Sequence, residues 1–221
     1  MTNDPLHSTS EDNGLAAMPQ GAIRIYSVGV STAGVAEIRM AQASTGTKII
    51  ATTTDESGAD RTRALIKDKG FEEQIDVKVE DVCLPLPYAD DDFDYVYARL
   101  VLHYLTRKQL AAALDELFRV LKSGGKLFVV VRSTDNRAAT TNAISYDPET
   151  GMTTHLTKPN NEISETRQRF FHTMETISEF IKNAGFSIEH IKSYDEKLFY
   201  DFGRTITSDH SNNLIEVLAD K

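Results

Sequence analysis

The fold of this 221-residue chain is decided by residues 93–131, which read FDYVYARLVLHYLTRKQLAAALDELFRVLKSGGKLFVVV. The segment begins with a β-prone run and ends with KLFVVV at 126–131, a continuous apolar run typical of a strand that is covered on both faces of a parallel sheet. Between them, Thr106 and Gln109 have the spacing of a capping box, and leucines follow at helical intervals. The glycines at 124–125 are predicted to end this helix. The segment therefore predicts a strand, a helix and a second strand.

The same alternation precedes this segment. The runs AIRIYSVGV (22–30) and TKIIATTT (47–54) are predicted strands, and residues 75–79 alternate between apolar and polar side chains as a third strand does. A helix between the second and third strands is predicted to begin at Ser57 and to end at Gly70. Parallel neighbours need crossover helices of this kind, so the pattern predicts a doubly wound α/β sheet.

The end of the chain adds one helix and two strands. The helix is predicted to begin at Thr173, and the strands are FSIEHIKSY (186–194) and NNLIEVLAD (212–220). The segment that joins these strands has no long helical pattern, which favours an antiparallel pair. The predicted fold class is α/β: a doubly wound, seven-stranded, mostly parallel sheet with an antiparallel C-terminal strand.

Two segments stand apart from this alternation. Residues 1–20 are polar and acidic, and we expect a disordered or partly helical arm with a short helix near Leu15–Met18. The remaining residues, 21–221, form one predicted domain. Within it, residues 132–170 are rich in threonine, asparagine and charge, and contain a predicted hairpin around PETG. They follow the carboxyl end of a strand, so both a substrate-covering lid and a solvated insertion remain open.

Composition excludes several classes of protein. The chain has 24 Lys and Arg against 33 Asp and Glu, a net charge of −9 that disfavours general nucleic-acid binding. Its one cysteine, Cys83, cannot form an internal disulfide. No apolar run approaches the roughly 20 residues that span a bilayer. We therefore expect a soluble, cytoplasmic protein with no membrane or nucleic-acid partner. The consecutive carboxylates Asp90–Asp92 point apart on a loop, so no metal site is expected.

Residues 71–131 strongly resemble a class I S-adenosylmethionine-dependent methyltransferase of the small-molecule type. The stretches that carry the resemblance are VEDVCLPLPYADDDFDYVYARLVLHYL (79–105) and LDELFRVLKSGGKLFVV (114–130), with Ser123 in place of the family's usual proline. The resemblance implies a Rossmann-like methyltransferase fold, S-adenosylmethionine as cofactor, and in-line transfer of its methyl group to a small-molecule acceptor.

The resemblance also implies a set of cofactor contacts. The glycine-rich loop is a variant, YSVGVSTAG, in which Gly29 fits the first glycine, Ser31 replaces the second, and Ser27 replaces an aspartate. Ser31 or Thr32 could cap the following helix. Asp55 is expected to accept hydrogen bonds from the ribose hydroxyls and Asp81 from the adenine amino group. The full predicted cofactor set is Gly29, Ser31, Asp55, Glu56, Asp81, Val82 and Arg99.

The resemblance implies that the loop after the predicted strand FDYVYA (93–98) lies beside the methionine half of the cofactor and the acceptor. His103 is the candidate that removes a proton, and Arg99 could hold a carboxylate with two hydrogen bonds. Candidate acceptor contacts in or beside the insertion are Tyr146, Arg169 and His172.

Alternatives to methyl transfer remain open from the sequence. A binding or regulatory protein on the same fold would result if Ser27 and Ser31 had abolished cofactor affinity, and a non-methylating use of the same cofactor is a further option. An NAD(P)-dependent oxidoreductase is suggested by the spacing of Tyr104 and Lys108. Thr106 is a predicted helix cap between those two residues, which argues against a shared face.

Overall fold

A seven-stranded sheet lies at the centre of the computed structural model, which describes residues 8–31, 34–157, 165–199, 204, 207–208 and 212–221. The strands of the chain are β1 (Arg24–Ser27), β2 (Lys48–Thr53), β3 (Ile75–Val79), β4 (Phe93–Arg99), β5 (Leu121–Arg132), β6 (Ala143–Tyr146), β7 (Thr153–Thr157), β8 (Glu165–Arg169), β9 (Ser187–Glu196) and β10 (Asn212–Asp220). The central sheet has the order β3-β2-β1-β4-β5-β10-β9. Only β10 runs against its neighbours. The predicted fold class is confirmed.

Six helices accompany these strands in the described part of the chain: α1 (Thr9–Ala16), α2 (Val35–Ala43), α3 (Glu56–Asp68), α4 (Arg107–Val120), α5 (Arg137–Thr140) and α6 (Met174–Asn183). The predicted capping box of α4 is present, with Thr106 and Gln109 exchanging hydrogen bonds. The predicted start of α6 at Thr173 is also confirmed, because the Thr173 side chain accepts from the Thr176 amide.

Two predicted helix ends are wrong. The N-cap of α3 is Asp55, not Ser57, because the Asp55 carboxylate accepts from the amides of Ser57 and Gly58 at 3.1 and 3.0 Å. Helix α4 ends at Val120, before the predicted glycines at 124–125. Leu121 is fully buried and already pairs with Phe93 of β4, so the register of the sheet ends the helix earlier than the glycines would.

Apolar side chains cover both faces of the sheet. On one face, α4 and α6 bury Leu110, Leu114 and Ile177 against the central strands. On the other face, α2 and α3 bury Met40 and Ile66. Each such side chain contributes roughly 1.5–3 kcal/mol when it leaves water, which fixes the strand order and with it the position of the loops. No helix among the described residues has the length and apolar character needed to cross a bilayer.

The insertion forms a small sheet of its own. Strands β6, β7 and β8 are antiparallel neighbours, and the predicted hairpin around PETG is the β6–β7 connection. Residues 158–164 lie outside the described residues. After β8, the Phe170 amide donates to the carbonyl oxygen of His103 at 2.8 Å. The insertion therefore lies directly against the turn that follows β4.

The N-terminal segment packs on the sheet as α1, which begins several residues before the predicted Leu15. Gly14 lies against the stacked rings of Tyr97 and Phe128, and its carbonyl oxygen accepts from the Tyr95 hydroxyl at 2.7 Å. A Cβ atom at Gly14 would lie 2.5 Å from Tyr97 and 2.9 Å from Phe128. The absence of a side chain therefore permits the contact.

Replacing Gly14 by leucine is expected to displace α1 from the sheet, since the added atoms cannot fit against the two rings. Limited proteolysis should then cleave the N-terminal segment at least 10-fold faster, while the remaining domain stays folded. Ala16→Leu, on the exposed side of the same helix, is the control. Equal protection of both variants would contradict the proposed contact.

Candidate active site

The predicted cofactor residues lie along one edge of the sheet. Gly29, Asp55 and Asp81 follow β1, β2 and β3, and these strands are adjacent and parallel. The carboxyl ends of adjacent parallel strands form the crevice in which open α/β sheets bind ligands. The fold therefore brings these three residues to one crevice.

Gly29 occupies a position that only glycine suits. Its φ is +71°, and a Cβ atom there would lie 2.8 Å from a methyl group of Val101. Its amide donates to the Thr52 hydroxyl at 3.3 Å. The absence of a side chain at Gly29 thus permits the close approach of Val101, and the backbone is fixed between β2 and the loop after β4.

The carboxylate of Glu37, which is not among the predicted site residues, accepts hydrogen bonds from the loop after β1. Glu37, in the first turn of α2, is fully buried. Its carboxylate accepts from the Ser27 hydroxyl at 2.7 Å and from the amide and hydroxyl of Ser31 at 3.2 and 2.5 Å. The resemblance predicts that Ser27 stands where the family has its aspartate, and α2 places the carboxylate of Glu37 within hydrogen-bond distance of this position.

Ser31 turns its side chain toward α2. The N-cap of α2 is Gly34, so the prediction that Ser31 occupies the cap position is wrong, although its hydroxyl oxygen accepts from the Ala36 amide at 3.0 Å. The other predicted cap, Thr32, lies outside the described residues. The extra atoms of Ser31 are therefore used in hydrogen bonds with α2 rather than with the crevice.

Asp55 and Glu56 lie at the start of α3. The Asp55 side chain is 62% exposed while it caps the helix and lies 3.7 Å from the Arg61 guanidinium, and its carboxylate oxygens can accept further hydrogen bonds. Glu56 is also exposed and pairs with Arg63 at 3.2 Å. Asp55 is thus the better placed of the two to accept from a polyhydroxyl ligand.

Asp81 and Val82 form the wall after β3. The Asp81 carboxylate accepts from the Cys83 amide at 2.9 Å, which fixes the turn. Val82 is 6% exposed and belongs to the apolar core. Together they offer an acceptor next to an apolar surface, a combination that suits a planar heteroaromatic ring.

Arg99 ends β4 and contacts the N-terminal segment. Its Nε donates to the Ser10 hydroxyl at 2.7 Å and its Nη2 to the Ser8 hydroxyl at 2.8 Å. Glu196 lies 4.0 Å from the same Nη2 and also accepts from the Ser10 hydroxyl. These contacts fix the guanidinium at the end of the strand, and no pattern in the sequence predicts that residues 8–10 take part.

His103 and Tyr104 lie in a 3-10 turn over Leu102–Tyr104 and line a cavity of about 170 Å³. His103 is 1% exposed, and neither ring nitrogen has a hydrogen-bond partner within the described structure. Burial and then the charges of Arg132 and Arg169 lower the pKa of His103 well below its ordinary value. The imidazole is therefore neutral at pH 7 and has one nitrogen that can accept a proton or a hydrogen bond.

The hydroxyl of Tyr104 lies beside the guanidinium of Arg169. Burial raises the pKa of Tyr104, but the charge of Arg169, whose Nη2 donates to the Tyr104 hydroxyl at 3.4 Å, and the charges of Arg132 and Arg167 together outweigh burial and lower that pKa. Tyr104 is thus a second candidate proton acceptor. Lys108 lies beyond the Thr106 cap, on α4, so the two residues belong to different elements.

The structure does not bring Tyr146, Arg169 and His172 to one cavity. Tyr146 lines a second cavity of about 420 Å³ beside the insertion. Arg169 is buried and contacts His155 at 3.2 Å. His172 is fully buried with its ring 4.1 Å from that of Phe170. Side chains along a strand alternate between the two faces of its sheet. The sequence of the insertion does not show which face of the β6-β7-β8 sheet packs against the main sheet, so it could not predict which of these residues share a cavity.

Comparison with known proteins agrees with this geometry. Residues 27–129 match the family model described as a methyltransferase domain. This segment, just under half of the chain, is similar to a methyltransferase domain. A protein of Encephalitozoon cuniculi with the name of a methyltransferase is 31% identical over 121 residues, which are 52% of this chain and 55% of that relative. The chain thus matches only about half the length of that relative.

Solved structures share the fold of the methyltransferase domain. A S-adenosylmethionine-dependent methyltransferase of Methanosarcina mazei superposes with a TM-score of 0.74 at 17% identity, covering 92% of this chain and 94% of that one. The [4+2]-cyclase SpnF superposes with a TM-score of 0.70 at 18% identity, covering 100% and 85%. S-adenosylmethionine is the cofactor of the family. The same architecture thus occurs in proteins described by different reactions, so activity must be argued from the site.

Proposed function

We propose that this methyltransferase domain transfers the methyl group of S-adenosylmethionine to a small-molecule acceptor. The single observation that carries the proposal is the crevice over β1, β2 and β3, in which Gly29 presents bare backbone and the carboxylates of Asp55 and Asp81 follow the two adjacent strands. This donor and acceptor set suits a nucleoside with a diol and an exocyclic amine.

The residues of the crevice fit the cofactor in named places. Asp55 would accept from the ribose hydroxyls, Asp81 from the adenine amino group, and Val82 would pack on the adenine ring. Gly29 would let the backbone approach the amino-acid end of the cofactor. The bound cofactor supplies a methyl group on a positively charged sulfur that leaves as a neutral thioether.

The chain's own contribution is positioning and proton removal. Holding the nucleophile in line with the methyl group can lower the barrier by roughly 7–11 kcal/mol. A general base adds a factor of about 10²–10⁴. His103 and Tyr104 are the candidate bases, because both line the cavity beside the end of β4. The positioning contribution needs no particular side chain, so most of the rate enhancement is expected to survive loss of either base.

Replacing Asp55 by serine tests the cofactor site. Serine keeps the N-cap of α3 but cannot accept from both ribose hydroxyls, so we expect S-adenosylhomocysteine to bind about 10- to 100-fold more weakly. Calorimetry on the full chain measures this affinity. Asp60→Ser, on the same helix and paired with Arg63, is the matched control.

The same titrations separate the alternatives. Binding of NADH with no heat from S-adenosylmethionine would indicate an oxidoreductase, and no heat from either would indicate a binding protein that has lost the cofactor. Cofactor binding without release of S-adenosylhomocysteine across an acceptor panel would favour a non-methylating use. Unchanged affinity in Asp55→Ser would contradict the role given to that carboxylate.

A further inference from the structure

Three arginines line the cavity beside His103, and two of them also lie within 4.0 Å of a carboxylate outside the lining. It lies beyond the carboxyl ends of β4 and β5, whose last residues are Arg99 and Arg132. Arg204, from the segment between β9 and β10, completes the lining. Within the described part of the chain, no Asp or Glu lines it. Three guanidinium groups around one small cavity are a notable concentration in a chain with a net charge of −9.

Other residues hold two of these arginines in place. Arg99 donates to the hydroxyls of Ser8 and Ser10. Arg204 pairs with the buried Glu11 of α1 at 2.9 Å. Side chains that are already ordered lose little conformational freedom when a ligand binds, so the cavity is preorganised.

Arg132 is also tied to the body of the fold. It hydrogen-bonds the Asn212 side chain at the start of β10. Because β10 is the direct neighbour of β5, this contact holds the guanidinium at the sheet edge that forms the cavity.

His103 supplies an independent sign of a ligand. Its ring lines the cavity, is almost fully buried, and has two nitrogens without a partner in the described structure. Buried polar atoms in native proteins nearly always have a hydrogen-bond partner, and those without one need an explanation. A polar ligand in the cavity would provide it.

The backbone around the cavity is also strained. Leu100 and Arg204, which both line it, have φ values of +58° and +54°. Non-glycine residues in this conformation are uncommon, and they concentrate at functional sites, where the surrounding structure maintains them.

We propose that this cavity binds an oxyanion, a carboxylate or phosphate group, of the acceptor, through Arg99, Arg132 and Arg204 with a hydrogen bond to His103. The inference rests on the proposed methyl transfer and specifies its acceptor as an anionic small molecule. Guanidinium groups bind both oxyanions with paired, charge-assisted hydrogen bonds. The cavity volume of about 170 Å³ suits such a group, with the remainder of the acceptor extending toward the crevice.

The cavity is distinct from the site of the nucleoside. Asp55 and Asp81 follow β2 and β3, on one side of β1, whereas the cavity lies over β4 and β5 on the other side. We therefore expect an acceptor held here to lie beside the cofactor, on the β4 side of β1. This arrangement is the one that transfer between two bound molecules needs.

Binding of simple oxyanions tests the proposal. The full chain, saturated with S-adenosylhomocysteine, is titrated by calorimetry with benzoate, phenyl phosphate and the neutral benzamide. We expect benzoate or phenyl phosphate to bind and benzamide to bind at least 10-fold more weakly, and the preferred anion identifies the acceptor group. Arg132→Gln should weaken anion binding by about 10- to 100-fold, because a charge-assisted hydrogen bond is lost.

Two further variants control for charge and folding. Arg24→Gln removes the same charge from the first residue of β1, at the opposite edge of the sheet, and should leave anion affinity unchanged. Arg132→Lys keeps the positive charge and should retain more affinity than Arg132→Gln.

Absence of anion binding to the wild-type protein would overturn the proposal. A loss of S-adenosylhomocysteine affinity in Arg132→Gln, with anion affinity unchanged, would overturn it as well, because the cavity would then hold the cofactor's own carboxylate. If the chain binds oxyanions but no S-adenosylhomocysteine, the proposed methyl transfer fails while the oxyanion cavity stands.

Discussion

Replacing Glu37 by alanine is expected to weaken S-adenosylhomocysteine binding by at least 10-fold and to lower the free energy of unfolding by about 2–4 kcal/mol. The reason is that Ser27 and Ser31 lose their common buried acceptor, and each buried polar group left unpaired costs roughly 1–3 kcal/mol. The loop after β1 then loses the contacts that fix it at the carboxyl edge of the sheet. Calorimetry and urea unfolding measure the two effects.

A second substitution makes this prediction specific. Ser27→Asp combined with Glu37→Ala restores the carboxylate to the position where the family carries it, and we expect most of the lost cofactor affinity to return. Ser27→Asp alone places two carboxylates side by side and is expected to destabilise the protein. A double-mutant cycle measures the coupling energy between positions 27 and 37. Additive effects of the two substitutions on cofactor affinity would contradict a shared role.

The surface residue Glu179, on α6, controls for loss of a glutamate as such. Its replacement by alanine should change neither affinity nor stability by a measurable amount. Full cofactor affinity in Glu37→Ala would remove Glu37 from the site.

Stability is expected to fall steeply with acid because of buried neutral histidines. Burial, with a smaller contribution from Arg107, lowers the pKa of His172 to about 3. The unfolded value is about 6.5, so the unfolded state binds the proton first as the pH falls. Above pH 6.5, His172 therefore does not lower the free energy of unfolding. Between pH 6.5 and 3, His172 alone lowers the free energy of unfolding by about 1.4 kcal/mol for each pH unit.

The buried imidazole of His103 also lowers the free energy of unfolding as the pH falls. Its pKa is also lowered, by burial and then by the charges of Arg132, Arg169, His172 and His155. Both buried imidazoles must therefore gain a proton when the protein unfolds in acid, and the pH dependence is expected to exceed that of either alone.

The variant His172→Phe isolates this effect. Phenylalanine keeps a ring beside Phe170 but cannot titrate, so the free energy of unfolding should depend less on pH below 6.5. Phe170→Leu disturbs the same ring contact and keeps the histidine, so it should lower stability at every pH and leave the slope unchanged. Urea unfolding between pH 4 and pH 8 measures both variants, and an unaltered slope in His172→Phe would contradict the assignment.

The order of elements could be predicted from the sequence because it depends on neighbouring residues. The leucines of α4 recur at the period of a helix. Strand β5 contains the continuous apolar run that is expected of a buried strand. Strand β10 has the predicted bounds of 212–220. The hairpin of the insertion followed from PETG in the same way. Asp55 and Asp81 were predicted to lie at the carboxyl edge of the sheet because each closely follows a strand, and the structure places them at that edge, while their contact with the cofactor stays a prediction.

The rest depended on contacts between distant parts of the chain. Glu37 looks like an ordinary first-turn helix residue until α2 packs beside β1 and brings it to Ser27. Arg132 and Arg204 are unremarkable in sequence until the sheet order places β5 and β10 side by side. Local propensity and periodicity act over a few residues and therefore determined the elements and their sequence. The charged side chains of the site come together only in the tertiary structure, because hydrophobic burial on both faces of the sheet selects one arrangement of those elements.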